Sequence, residues 1–109
     1  MKRILGPMGG AAVTLVVIAS PAHALLEWSV TGASAYKWAG YNTITLRDTR
    51  CDNNNVYFEY ARSGTSSRYY NNGGCGSEKD LSLPVGSYKK GRVCVDDSGW
   101  NTCSAWKSW

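Results

Sequence analysis

The side chains able to do acid–base chemistry in this chain are carboxylates, with Asp48, Asp52, Glu59, Glu78, Asp80, Asp96 and Asp97 as the candidates. Two carboxylates suffice to cleave a glycosidic bond, one acting as acid and the other as base or nucleophile. Most other routes are closed. The sole histidine is His23, in a segment that reads as a removable leader. Residues 25–109 therefore cannot build a Ser-His-Asp or Cys-His nucleophile, a His-ligated metal centre or an imidazole base.

Each acidic candidate also has an ordinary structural reading. Glu59 shares a strand face with Tyr57 and Ala61, and an ion pair with a cross-strand Arg68 is common sheet chemistry. Asp96-Asp97 stands beside a turn, where Asp bonds local backbone readily. Asp52-Asn53-Asn54-Asn55 hints at calcium, but the EF-hand order with a central Gly and a closing Glu is missing, so it reads as a turn. No catalytic residue, no metal and no cofactor is assigned, and the expectation is a protein that is not an enzyme.

Aromatic side chains offer a different chemistry, that of binding. Five Trp, seven Tyr and one Phe all fall within residues 25–109. Tyr, Trp and Arg dominate binding hot spots. Arg68, Tyr69 and Tyr70 follow a Gly-Thr-Ser-Ser turn, and Trp106 lies near the chain end. These four are the candidate partner-binding residues. Tyr69 and Tyr70 are adjacent, so in a strand one of them faces outward. The competing reading is that the aromatics fill a small sheet core. Lys89-Lys90-Gly91-Arg92 is the one basic cluster and reads as a solvated edge that blocks strand pairing. It is too narrow for nucleic acid, so no nucleic-acid partner is expected.

The elements that must position these residues are strands. Lys2 and Arg3, the apolar run Ala11–Ala19, Ser20-Pro21 and the small-x-small sequence Ala22-His23-Ala24 have the order of a secretory signal peptide over residues 1–24. The run is too short for a membrane span. Cleavage after Ala24 leaves one secreted domain, 25–109, not inserted in the membrane, and takes the formal charge from +4 to +2. Alternation of apolar and polar residues predicts strands at Asn42–Asp48, Val56–Arg62, Ser67–Asn71, Lys79–Val85, Lys90–Asp96 and Asn101–Trp106. Leu25–Val30 is a short first-strand candidate, and Thr31–Gly40 reads as irregular. The expected fold is all-β, a small antiparallel β-sandwich or open barrel of about six strands.

Four cysteines allow three pairings. Residues equidistant from a hairpin turn face each other across it. Cys51 and Cys75 are within one position of equidistance about Ser63-Gly64, and Cys94 and Cys103 are equidistant about Ser98-Gly99. Opposed strand residues lie close enough for a disulfide. The expected bridges are Cys51–Cys75 and Cys94–Cys103. A zinc site is the alternative, disfavoured by the lack of C-x-x-C spacing.

Leu46-Arg47-Asp48-Thr49-Arg50-Cys51-Asp52, Gly73-Gly74-Cys75-Gly76 and Arg92-Val93-Cys94-Val95-Asp96-Asp97, with Cys103 and Trp106, resemble small secreted proteins of actinobacteria over about residues 42–109. The resemblance implies secretion, a β-rich fold and paired cysteines. It brings no activity and no site residues. In size, two disulfides and aromatic richness the chain is also similar to the small β-sandwich α-amylase inhibitors of streptomycetes. Their motif is Trp-Arg-Tyr at a turn, and Ser67-Arg68-Tyr69 occupies such a place here. The cysteine spacing departs from theirs, because the second bridge encloses a much shorter loop. The expected function is a secreted, non-enzymatic binding module, for example an inhibitor of an extracellular enzyme, with an extracellular protein or carbohydrate as partner. The alternatives are a two-carboxylate carbohydrate-active hydrolase and a structural envelope protein. Peptide mapping without reduction is expected to give Cys51–Cys75 and Cys94–Cys103 peptides; a Cys51–Cys103 peptide would refute the pairing.

Overall fold

A computed structural model describes residues 25–109, and the leader reading lies outside them. Nine strands occur among the described residues: β1 Leu25–Val30, β2 Ala33–Trp38, β3 Thr43–Asp48, β4 Val56–Arg62, β5 Thr65–Asn71, β6 Glu78–Ser82, β7 Lys90–Val95, β8 Thr102–Cys103 and β9 Lys107–Ser108. They form two antiparallel sheets. The first has the order β1-β2-β3-β6. The second runs β5-β4-β7, and β7 is extended by β8 at one end and β9 at the other. The sheets stack as a β-sandwich rather than closing into a barrel.

Three expectations need correcting. There are more strands than six. Thr31–Gly40 is not irregular, because it contains β2, paired to β1 through the two-residue turn Thr31-Gly32. Gly32 takes a φ of 99° there, which glycine adopts without steric cost. The strand signal was weak because the inward residues are Ala33 and Ala35, poor strand formers. They are small because Trp28 fills the space around them, with Trp28 and Ala35 opposed in register. The third correction concerns the last strand. Asn101–Trp106 divides because Val93 N–H donates to Ser104 Oγ and Ser104 N–H donates to Val93 O. The ladder is interrupted, and residues 104–106 leave it before β9 resumes pairing.

Val56–Arg62 forms as read, with Val56, Phe58 and Tyr60 turned into the sandwich. Ser63 and Gly64 both have positive φ, 25° and 83°, the geometry that a two-residue hairpin turn requires. The inward sides of both sheets bury Trp28, Ile44, Leu46, Phe58, Tyr60, Leu81 and Val93. The packing is tightest at β7. Trp28 Nε1 donates to the buried Gly91 O at 2.7 Å, joining the two sheets. Phe58 meets Trp28 edge-on at 4.8 Å between centroids and lies over Gly91. Trp109 closes the same cluster, stacked on Tyr60 at 5.7 Å.

The chain from β3 to β6 is a single folded ribbon. β3 pairs β6 in the first sheet, while β4 pairs β5 in the second. Both limbs change sheet at the corner between Asp48 and Val56 and between Asn71 and Glu78. Cys51–Cys75 joins the limbs there, with 4.8 Å between Cα atoms. The buried Asn71 fills the inside of the corner, donating through Nδ2 to Leu46 O and Ser77 O and accepting at Oδ1 from Gly73 N–H and Ser77 Oγ. Cys94 and Cys103 are direct register partners between β7 and β8.

The close approach at Gly91 gives a sharp expectation. A Cβ added there would lie 2.2 Å from Phe58 Cζ, and Phe58, on the neighbouring strand of the same sheet, is hemmed in by Trp28 at 4.8 Å. Gly91→Ala should cost about 3 kcal/mol or more, at or beyond the usual upper range for overpacking. Urea unfolding measures this, and a loss under about 1 kcal/mol would contradict the packing described.

Candidate functional site

The four sequence candidates divide between two environments. Arg68 and Tyr70 belong to the outward row of β5, and Trp106 follows β8. Tyr69 turns the other way and packs, half-buried, against the core. It is therefore a packing residue in this fold and not part of the outer surface. The cause is the two-residue period of β5, which allows only one of the adjacent tyrosines on each face.

The outer face of the second sheet is tightly self-associated. Arg68 lies over the Tyr57 ring at 4.6 Å, and Tyr57 meets Tyr70 at 5.1 Å. Tyr57 is fully buried although it points outward; Asn101 donates to its hydroxyl at 2.8 Å. That burial pushes its hydroxyl pKa above the ordinary value. Glu59 faces Arg68 on one side and Arg92 on the other, and its ion pair is with Arg92, at 2.8 Å. Ser66 donates to its second oxygen. The sequence reading found the Arg68 register, but Arg68 is drawn to Tyr57. Arg92 and Lys90 in turn lie over Trp106, at 4.6 and 4.9 Å. Arg68 and Lys90 are exposed and Arg92 is half-buried.

The other carboxylates are scattered. Glu78 pairs with Arg47 across β3 and β6. Asp48 is buried and accepts from Arg50 N–H, while Asp52 accepts from Asn54 N–H as a turn residue does. Asp97 accepts from Asn54 Nδ2 and Thr102 Oγ1, and Asp96 accepts from Tyr70. No group of three or more His, Cys, Asp or Glu among the described residues could hold a metal ion.

A different surface is concave. The outer face of the first sheet carries an open cleft of about 450 Å³ lined by Tyr36, Trp38, Tyr41, Thr43, Thr45 and Asp80. Its size falls in the range of small-ligand sites. Tyr36, Thr45 and Asp80 form a cross-strand row, Tyr36 opposing Thr45 and Thr45 opposing Asp80. Thr45 Oγ1 donates to Asp80 Oδ1 at 2.8 Å. Trp38 ends β2, Thr43 begins β3 and the loop between them adds Tyr41, whose N–H donates to Trp38 O, with Gly40 at a φ of 85°. Asn42 ties that loop to the chain beyond β6 through bonds to Leu83 O and from Leu83 N–H. Trp38 and Tyr41 remain 46% and 66% exposed, so their rings are available to a ligand. Sequence reading missed this site because it treated residues 31–40 as irregular. The usable signal was the alternation Ser34-Tyr36-Trp38 against Ala33-Ala35-Lys37.

Lys37 lies beneath the cleft, on the inward side of β2. It is buried, its ammonium donates to Trp38 O at 3.3 Å and it lies 5.6 Å from the Trp109 ring. Burial first, and the charge of Lys89 second, hold its pKa below the ordinary lysine value.

No family model, no curated protein and no solved structure matches the chain.

The Lys37 shift has a definite sign. The folded state disfavours the ammonium, so its full destabilisation is present at pH below the folded pKa. Stability then rises with pH between the folded and unfolded pKa values, because the unfolded chain holds more protons there. Lys37→Met should melt above wild type near neutral pH, and the gap should narrow as the pH rises towards the ordinary lysine pKa of about 10.4. A melting difference that is constant up to that pH would contradict the assignment.

Proposed function

We propose that the protein is an extracellular, non-catalytic binding module whose ligand site is the aromatic cleft on the outer face of the first sheet. One observation carries the reading: three aromatic rings and three polar side chains converge on one concave surface of a sheet that is fixed from below by the core. Rigid support of this kind lowers the ordering cost of binding. The lining includes a single carboxylate, Asp80, whereas glycoside cleavage uses two. That composition favours holding a ligand over hydrolysing it. The absence of histidine from residues 25–109 points the same way, and two disulfides suit an oxidising compartment.

A second form of the reading, capture of a secreted protein, would use the outer face of the second sheet. The exposed Arg68 on edge strand β5 supports it. Much of that face is already engaged internally, since Arg68 covers Tyr57 and Trp106 is stacked under Arg92 and Lys90. The cleft is the better candidate for that reason.

Beads bearing the disulfide-bonded protein should retain a ligand from extracellular medium or cell-wall polysaccharide. Beads bearing Trp38→Ala with Tyr41→Ala should lose it, and beads bearing Arg68→Ala should keep it. Retention lost only with Arg68→Ala would move the site to the second sheet. Release of reducing sugar by wild type, abolished in Asp80→Asn, would replace binding by hydrolysis.

A further inference from the structure

The cleft is specific enough in its chemistry to name a ligand class, and this inference rests on the binding-module reading above. We propose that Tyr36, Trp38, Tyr41, Thr43, Thr45 and Asp80 form a subsite for a pyranose ring of an uncharged glycan.

Four observations lead there. First, the lining joins aromatic rings to hydroxyls and a carboxylate, not to further aliphatic groups. Aromatic faces carry negative charge density and attract polarised C–H groups. One face of a pyranose is a patch of such C–H bonds, and its rim is a ring of hydroxyls. A purely apolar ligand would leave Asp80 and the two threonines desolvated without partners, at a cost. Second, Asp80 is pre-oriented. Its Oδ1 accepts from Thr45 Oγ1 at 2.8 Å, and Oδ2 has no protein partner among the described hydrogen bonds, leaving it to accept from a sugar hydroxyl. Charge-assisted bonds of that kind are shorter and stronger than neutral ones.

Third, the sign of the charge selects among sugars. The lining includes one anion and no cation, so uronic acids and sulfated sugars are repelled while neutral sugars are accepted. Lys37 and Lys79, each adjacent in sequence to a lining residue, belong by strand alternation to the other side of the sheet, and Arg47, on the outer face two residues from Thr45, is paired with Glu78. Fourth, the cleft is open to solvent, which admits one residue of a longer chain with its neighbours projecting on either side. An enclosed pocket would admit only a free monosaccharide.

The experiment is a titration of the disulfide-bonded protein, followed by tryptophan fluorescence and calorimetry. The probes are cellotetraose, xylotetraose and chitotetraose, with tetragalacturonate as the anionic control. Saturable binding is expected for at least one neutral probe and not for tetragalacturonate. Trp38→Ala should weaken that binding by at least about tenfold, as loss of a stacking ring does. Asp80→Asn should weaken it about tenfold while leaving the melting temperature unchanged, since the amide still accepts from Thr45. Trp106→Ala, on the other sheet, should leave it unaltered. No saturable binding by any neutral probe overturns the proposal, as does equal binding by Trp38→Ala. If the sugars fail while cleft-dependent capture of a protein persists, the ligand class falls and the binding-module reading stands. If a bound probe is cleaved, the subsite stands and the non-catalytic reading falls.

Discussion

The contact between Trp28, Gly91 and Phe58 sets the separation of the two sheets. Trp28 comes from β1 of the first sheet, and its indole N–H reaches the carbonyl of Gly91 in the second. Only a residue without a Cβ can sit there, because Phe58 occupies the space directly above the Gly91 Cα. A large ring on one sheet meets a bare backbone and a second ring, edge-on, on the other, and the sheets can approach no closer. Trp109 then packs edge-on to Trp28 at 5.7 Å and is held by β9 pairing to the same end of β7. Trp109 is therefore packed, half-buried, against the core.

The bent ribbon β3–β4/β5–β6 carries the chain between sheets twice. A bend in two paired strands leaves backbone groups without ladder partners, and buried groups of that kind are costly. Asn71 supplies both donors and acceptors at the bend, and Cys51–Cys75 keeps the two limbs from separating. In the chain-entropy treatment a loop of 24 residues gains about 3 kcal/mol from closure, slightly more than the shorter loop closed by Cys94–Cys103. The second bridge has a local role. It binds the β8 segment to β7, and that segment covers Tyr57 on an outer sheet face.

Covering one sheet exposes the other. The C-terminal segment, Arg68 and Trp106 lie on the outside of the second sheet, where cations rest against aromatic rings within the molecule. Among the described residues, nothing comparable crosses the outside of the first sheet at Tyr36, Trp38 and Tyr41. The asymmetry separates aromatic residues that stabilise from aromatic residues left free, although the two groups have the same composition.

Much of this was legible in the sequence. Alternation placed β3, β4, β5 and β7, and equidistance from the turns identified both disulfides, because antiparallel pairing converts position in the chain directly into opposition in space. Glu59 on an outer face was also legible, since a period of two assigns its side. Local pattern could not supply β2, whose inward alanines are dictated by Trp28 on the neighbouring strand. Nor could it choose between Arg68 and Arg92 as the partner of Glu59, since both stand opposite it and an aromatic ring elsewhere decides the outcome. The cleft was decided by tertiary structure alone. Its residues are spread from Tyr36 to Asp80, and only the order β2-β3-β6, in which a late strand pairs an early one, brings them into one row.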